Sequence, residues 1–142
     1  MGAKAPAPFS APSYDSLVGA DAIAPDGSEI YFLVDDAKLA SLVEVRLAAG
    51  LVSRPIRHRT VEEIWYVTGG RGKVWRSAPG DPQGQTVMVR PGDAIRIPTL
   101  WSFQFAAAPE AGLRFVCFTS PRWPGPQEAV LLESGGLGAP TV

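Results

Sequence analysis

The feature that most constrains the fold is a succession of short β-prone runs, all but the first of them followed within three residues by glycine or proline. The first two are 30–34 (Ile-Tyr-Phe-Leu-Val) and 42–47 (Leu-Val-Glu-Val-Arg-Leu), and the second places alternate apolar residues on one face. Further runs of this kind lie at 63–67, 73–76, 86–89, 94–97, 103–106 and 113–119. Short strands at this spacing, without a long helical period between them, predict an all-β double-sheet jelly roll or closed barrel.

The composition favours one turn-rich β domain. The chain has 142 residues, of which 15 are glycine and 14 are proline, and so many helix breakers disfavour a helical bundle. We place a single domain at 14–142, after an alanine- and proline-rich arm at 1–13 that we expect to be flexible. One helical pattern, Gln127–Glu133, predicts a short C-terminal helix packed outside the barrel.

The stretch from Gly50 to Gly70 contains the single histidine of the chain, His58, followed by Glu63. This stretch resembles the first cupin motif, in which a glycine is followed by a His-x-His pair, a glutamate and a closing glycine. In that register Ile56 stands where the first histidine belongs, His58 is the second histidine and Glu63 is the carboxylate. The resemblance implies a cupin double-stranded β-helix over about residues 29–119.

A second stretch, 92–107, resembles the second cupin motif, in which glycine and proline precede a late histidine and an asparagine. Pro98 is in place, but Phe103 stands at the histidine position and Ala107 at the asparagine position. The chain is thus similar to small single-domain bacterial cupins with degenerate metal-binding motifs. The resemblance also implies a homodimer, paired through a swapped strand or a sheet edge.

Strand alternation turns Ile56 and His58 to one side of their strand, and in the cupin register that side is the barrel interior. The resemblance therefore implies an apolar pocket in which His58 and Glu63 form one acid–base pair. Their ordinary pKa values, about 6.5 and about 4.3, suit proton exchange with a substrate. The predicted ligand-binding residues, whose apolar or aromatic side chains would hold a flat molecule, are Ile56, Trp65, Trp101 and Phe103.

The number of donors disfavours tight metal binding. A facial triad requires two imidazoles and a carboxylate, whereas the chain has one histidine. Alternation also turns Gln104 away from the face of Phe103. We therefore expect no resident cofactor and retain His58 and Glu63 as weak candidate ligands of a divalent ion.

Three functional hypotheses remain open, because the superfamily includes enzymes and plain binding modules and the fold does not choose among them. The first is a metal-independent isomerase, cyclase or lyase that binds a small organic ligand and uses His58 and Glu63. The second is a non-catalytic ligand-binding or sensing module, and the third is a weakly metal-dependent enzyme. A structural alternative is that the pair is a relic of a lost metal site.

Other features bear on partners and location. A net charge of −1 gives no basic surplus for nucleic acid. We expect Cys117 to be a buried apolar residue, Arg96 to lie outside the core, and Trp123 to pack the C-terminal segment. Since the sequence shows no long apolar run, we expect no membrane contact and a cytoplasmic protein.

Overall fold

The computed structural model of the chain describes residues 19–142, so the arm predicted at 1–13 lies outside the described residues. The described part forms strands and one short 3₁₀ turn, and it has no helix long and apolar enough to cross a bilayer. In chain order the strands are β1 (Ala22–Ile23), β2 (Glu29–Val34), β3 (Ser41–Leu47), β4 (Ile56–His58), β5 (Glu62–Gly70), β6 (Gly72–Ser77), β7 (Gln85–Val89), β8 (Ala94–Ile97), β9 (Ser102–Ala107), β10 (Leu113–Ser120) and β11 (Ala129–Leu131).

The strands form two antiparallel sheets. The six-stranded sheet has the order β1-β2-β3-β10-β5-β8, and the five-stranded sheet has the order β11-β4-β9-β6-β7. Strand β10 lies between β3 and β5, and β9 lies between β4 and β6, so the chain crosses repeatedly from one sheet to the other. This is a jelly-roll arrangement. The fold class predicted from the short-strand pattern is confirmed.

Alternation along β5 separates the interior from the outer surface. Glu63, Trp65 and Val67 are buried, whereas Ile64 and Tyr66 are 48% and 53% exposed. This period of two follows from the pleat of a strand, which turns successive side chains to opposite faces.

Aromatic rings fill the space between the sheets. The ring of Trp65 stacks on Phe115 with centroids 4.2 Å apart and meets the edges of Phe103 and Phe105 at 5.5 and 5.2 Å. Each such pair contributes about 0.5 to 1.5 kcal/mol beyond area burial. The barrel therefore has a packed aromatic core.

Gly70, the closing glycine of the first motif, makes the turn from β5 to β6. Its φ is 71°, in the left-handed region that favours glycine. A Cβ atom here would overlap the carbonyl oxygen of Gly112 on the neighbouring chain segment. Glycine is therefore required at this position for two independent reasons.

The C-terminal segment differs from the predicted helix over Gln127–Glu133. A single 3₁₀ turn, Pro126–Glu128, is followed by β11, which pairs antiparallel with β4. A short apolar run does not distinguish helix from strand. Here β4 offers an open sheet edge, and pairing with it satisfies backbone groups that a free helix end would leave unpaired.

The chain after β11 continues along the outside of the five-stranded sheet. The N–H groups of Leu132 and Thr141 donate to the carbonyls of Pro55 and Val52 at 3.0 and 2.9 Å. Gly136 lies so close to the indole of Trp75 that a Cβ atom would collide with the ring. The C-terminal residues are therefore part of the packed structure.

Candidate active site at His58 and Glu63

Strands from both sheets bring the predicted site residues together. Ile56 and His58 lie on β4 in one sheet, and Glu63 and Trp65 lie on β5 in the other. Phe103 on β9 is the direct cross-strand partner of Ile56. All five are buried, with exposed fractions from 1% to 8%, so the side chains share the barrel interior.

Trp101 lies just outside the strands, one residue before β9. It is half-buried in the turn before β9, where its backbone N–H donates to the carbonyl of Pro98 at 3.1 Å. Its role as a ligand-binding residue stays a prediction.

His58 is a buried imidazole with an unsatisfied nitrogen. Its Nδ1 lies 3.6 Å from Oε2 of Glu63, and its side chain is 4% exposed. That separation is longer than a hydrogen bond, and within the described part of the chain Nδ1 has no other hydrogen-bond partner. A buried polar atom without a partner costs about 1 to 3 kcal/mol, so the site holds unused hydrogen-bonding capacity.

Glu63 is fixed by its neighbour on the same strand. The indole Nε1 of Trp65 donates to Oε1 of Glu63 at 2.8 Å. This bond occupies one carboxylate oxygen and leaves Oε2 as the one nearest His58. Trp65 therefore orients the carboxylate as well as packing the core.

The charge of His58 acts on two further buried carboxylates, Asp26 and Glu128, and neither was identified from the sequence. Burial raises the pKa of the Asp26 carboxyl, hydrogen bonds from Ser28 oppose this, and the charge of Glu63 raises the pKa further. Burial also acts to raise the pKa of Glu128, but hydrogen bonds from Thr60 and Val61, with the charge of His58, lower it overall.

The sequence carried a weak signal for Asp26 and none for Glu128. Asp26-Gly27-Ser28 has the composition of a turn in which the aspartate bonds its own backbone, and Oδ1 of Asp26 indeed accepts from the Ser28 N–H and Oγ at 2.9 and 2.6 Å. Glu128 lay within the predicted helix, where its burial was not expected.

Trp123 is a third site residue that the sequence did not identify as such. Its ring centroid lies 5.3 Å from that of His58 at an interplanar angle of 63°, and Phe103 contacts the imidazole at 5.3 Å and 86°. The backbone N–H of Trp123 donates to Oγ of Ser41 at 3.0 Å, and this bond fixes the loop after β10. His58 is thus enclosed by Phe103 from the core and Trp123 from the C-terminal loop.

The space around His58 is filled by side chains. The structure shows a groove of about 620 Å³ beside β6, β7 and β9, lined among others by Lys73 and Met88, and a hollow of about 420 Å³ near Tyr31. Neither is lined by His58 or Glu63. Because His58 and Glu63 are buried, we expect a ligand that reaches the pair to displace a side chain, and Trp123 is the half-buried ring among those contacting His58.

The donor set does not fit the metal that the fold implies. Ile56 and Phe103 present hydrocarbon where the motif has imidazoles, which leaves His58 and Glu63 as the two donors. Residues 19–142 contain no group of three or more histidine, cysteine, aspartate or glutamate side chains placed to hold an ion. A first-row ion requires more protein donors than this pair offers.

Three other predicted placements agree with the structure. The amide of Gln104 is buried on the opposite face, where Nε2 donates to the carbonyls of Ser53 and Gly138 at 3.0 and 2.9 Å. Arg96 is exposed outside the core. Cys117 is buried, and burial followed by the nearby charge of Glu63 raises the pKa of its thiol well above the usual range.

These features define a class of protein: a jelly-roll barrel that keeps one imidazole–carboxylate pair where related barrels place metal ligands. Residues 37–124, more than half of the chain, match the family described as Cupin. The chain belongs to the cupin family.

Solved structures share the fold at low sequence identity. CapF from Staphylococcus aureus, a capsular polysaccharide assembling protein, is 13% identical with a TM-score of 0.67 over 75% of this chain and 32% of CapF, so the chain spans about a third of that protein. KdgF from Halomonas sp. is 22% identical with a TM-score of 0.64 over 78% of this chain and 94% of KdgF. Drosophila melanogaster CENP-C, in a structure bound to CAL1, is 20% identical with a TM-score of 0.62 over 74% of this chain and 81% of CENP-C. No curated protein sequence matches the chain.

Proposed function

We propose that this cupin binds a small, flat organic ligand against His58 and transfers a proton to or from it without a metal, as an isomerase, cyclase or lyase does. The observation that carries the proposal is the unpartnered Nδ1 of His58, 3.6 Å from Oε2 of Glu63 inside an apolar barrel. A general base held by an oriented carboxylate is a recurring arrangement in proton transfer.

The proposed chemistry uses the two nitrogens of one imidazole. Ligand binding brings Oε2 of Glu63 closer to Nδ1, so that Nδ1–H donates to the carboxylate and Nε2 is available as the base. Nε2 then removes a proton from an acidic carbon of the ligand, and the resulting imidazolium is stabilised by Glu63 and returns the proton to another atom.

Ligand shape follows from the neighbouring rings. The rings of Phe103 and Trp123 both contact the imidazole in T-shaped geometry. Trp123 belongs to a surface loop, whereas Phe103 is 1% exposed. In this proposal a planar ligand replaces the Trp123 ring over His58 and stacks on the remaining aromatic residues. Trp101 and Ile56 stay predicted ligand contacts.

The test measures proton exchange at carbon. A panel of flat enolisable ketones and lactones is incubated with the protein in D₂O, and deuterium uptake at the acidic carbon is followed by NMR. We expect His58→Gln to lower the exchange rate by about 100-fold or more and Glu63→Gln to lower it less, with circular dichroism unchanged. Glu133→Gln, at an exposed position after β11, is the matched control. Unchanged exchange in His58→Gln would reject the assignment.

A second candidate function, a non-catalytic ligand-binding or sensing module, is favoured by the filled interior. The rings of Trp65, Phe105 and Phe115 occupy the barrel centre. Such a packed core stabilises the fold whether or not the protein catalyses a reaction. Saturable binding of a panel compound with no deuterium uptake would establish this module in place of the enzyme. The homodimer and the cytoplasmic location stay predictions beside both candidates.

A further inference from the structure

The groove of about 620 Å³ beside β6, β7 and β9 lies on the outer face of the five-stranded sheet. Three of its lining residues form one row across the strands, because Met88 opposes Lys73 and Lys73 opposes Ala106. Directly opposed residues share a face of an antiparallel sheet. The neighbouring residues Val74 and Phe105 are turned into the core and are 1% and 0% exposed, so the row faces outward. We call the space over Met88, Lys73 and Ala106 the outer groove.

Two loop segments also line the outer groove. Leu137 comes from the C-terminal segment, and its backbone N–H donates to Oε1 of Gln104 at 2.8 Å. Nε2 of the same amide donates to the carbonyl of Gly138 at 2.9 Å, so the segment that carries Leu137 is bound to β9. Pro109 and Glu110 come from the turn after β9. The outer groove is therefore preformed, and its volume lies within the range of small-molecule sites, about 300 to 1,000 Å³.

The outer groove has a surplus of positive charge. Its charged lining residues are Arg71, Lys73, Arg90, Asp93 and Glu110. The guanidinium of Arg71 forms an ion pair with Glu110, and Oδ2 of Asp93 accepts from the backbone N–H of Arg90 at 3.0 Å. Within residues 19–142, the side chains of Lys73 and Arg90 have no ion-pair partner. Two cations can therefore receive an anionic group beside an apolar surface.

We propose that the outer groove binds a free aliphatic monocarboxylate. The carboxylate lies against Lys73 and Arg90, and the alkyl chain lies against Val52, Met88 and Leu137, which are the large apolar side chains of the lining. A guanidinium recognises a carboxylate through two parallel hydrogen bonds, and an ammonium adds a point charge. Apolar side chains beside a few polar groups are the usual form of a small-molecule site. The inference is independent of the proposed proton transfer inside the barrel.

The first test is isothermal titration calorimetry of the full chain with hexanoate, octanoate and decanoate, each below its micelle concentration. We expect one site per chain and a Kd that falls about two- to fourfold for each added methylene group, because part of the chain is buried. The uncharged 1-octanol has the same chain as octanoate and should bind about tenfold or more weakly, since it lacks the charged acceptor. Absence of decanoate binding, or equal affinity for octanol and octanoate, would overturn the proposal.

The second test changes the charge of the outer groove. Met88 is 70% exposed, so Met88→Glu and Met88→Lys should both fold, and both remove the same apolar contact. We expect the Kd for octanoate to be about tenfold higher in Met88→Glu than in Met88→Lys, because the introduced charges repel and attract the carboxylate. Lys73→Gln should also weaken binding, whereas Arg57→Gln, at an exposed position on β4 of the same sheet, should bind like the wild type. Equal Kd values for the two Met88 variants, or an equal loss in Arg57→Gln, would contradict the assignment. Circular dichroism establishes that each variant is folded.

The third test locates the bound acid. In ¹⁵N-labelled protein, octanoate should shift the amide signals of Lys73, Ala106 and Leu137 and leave those of His58 and Trp65 in place. His58→Gln should bind octanoate like the wild type, so this inference and the proposed proton transfer can fail separately. Shifts confined to the barrel interior would refute the site. Cosedimentation with phosphatidylglycerol vesicles, without binding of free octanoate, would replace the free acid by an anionic membrane surface and would also refute the proposal.

Discussion

Ile56 occupies the position at which the first cupin motif has a histidine. It is 1% exposed, lies two residues before His58 on β4 and opposes Phe103 on β9. Residues two apart on a strand share a face and lie about 6.6 Å apart, so an imidazole here would join His58 and Glu63 in a two-histidine, one-carboxylate set. One hydrocarbon side chain thus removes a ligand without disturbing the scaffold.

Ile56→His should therefore create a divalent ion site with three protein donors. At an ion concentration of about 100 times Kd the expected stabilisation is about 2.7 kcal/mol, or a rise in Tm of about 5 to 10 °C for a chain of this size. The variant without the ion should be less stable than the wild type by about 1 to 3 kcal/mol, because a polar group enters the core. Thermal unfolding with and without Zn²⁺ or Co²⁺, on protein without a histidine tag, measures both effects.

The control for this experiment is Ile56→Asn, which introduces a polar side chain at the same position but no imidazole. It should lose stability without regaining any on addition of the ion. If the wild type itself gains several degrees with Zn²⁺, the donor argument is wrong and the weakly metal-dependent hypothesis is supported.

At the scale of elements, the 3₁₀ turn Pro126–Glu128 joins the C-terminal segment to the β4–β5 loop through one carboxylate. Oε2 of Glu128 accepts from the N–H groups of Thr60 and Val61 at 2.6 and 2.8 Å, and Oε1 accepts from the Thr60 hydroxyl at 2.6 Å. These bonds hold the loop that precedes Glu63 and position β11 against β4.

Glu128→Gln should lower the free energy of unfolding by about 1 to 3 kcal/mol at neutral pH, since hydrogen bonds to a charged group contribute about that much. The folded-state pKa of Glu128 is lowered, so its stabilisation is complete above the ordinary glutamate pKa of about 4.3 and is lost as the pH falls through the folded-state pKa. Urea unfolding at pH 7 and at pH 3 should show the difference between the variants shrinking with acid. A difference that stays constant, or an equal loss in the exposed Glu133→Gln, would contradict this role.

The strands could be predicted from the sequence because their signals are local. Alternation in β5 and the glycine that ends it specify both faces and the turn, and Gly70 lies where the motif requires it. The prediction of a C-terminal helix was wrong, because the structure of a short apolar run depends on the sheet edge that it meets in the folded chain.

The same distinction holds at the candidate site. Alternation within β4 and β5 predicted the shared interior of Ile56, His58, Glu63 and Trp65, and the structure brings them together. Trp123, by contrast, reaches His58 from a loop 65 positions later in the sequence. No sequence periodicity connects residues this far apart, so the contribution of the loop to the site could be found only from the structure.

At the scale of the whole molecule, the barrel encloses the candidate site, and the loop after β10 places Trp123 against His58. The side chain of His58 is 4% exposed. Two hydrogen bonds hold the loop after β10: the backbone N–H of Trp123 donates to Oγ of Ser41, and the guanidinium of Arg122 donates to the carbonyl of Asp35. Both acceptors belong to the chain segment from β2 to β3. We expect access to the candidate site, and ligand binding there, to depend on opening of this loop from the six-stranded sheet.

This coupling can be measured because the chain contains one histidine. Diethyl pyrocarbonate modifies unprotonated imidazole that it can reach, so the absorbance change reports His58 alone. In the wild type we expect modification at least about tenfold slower than that of free N-acetylhistidine, since local opening must precede it. Trp123→Ala removes a ring that contacts the imidazole and should accelerate modification by about tenfold, whereas Trp101→Ala, which alters a half-buried ring in the turn before β9, should leave the rate near that of the wild type. Modification of the wild type as fast as the free amino acid would mean that the barrel is open, and a larger acceleration in Trp101→Ala would place the entrance at the turn before β9.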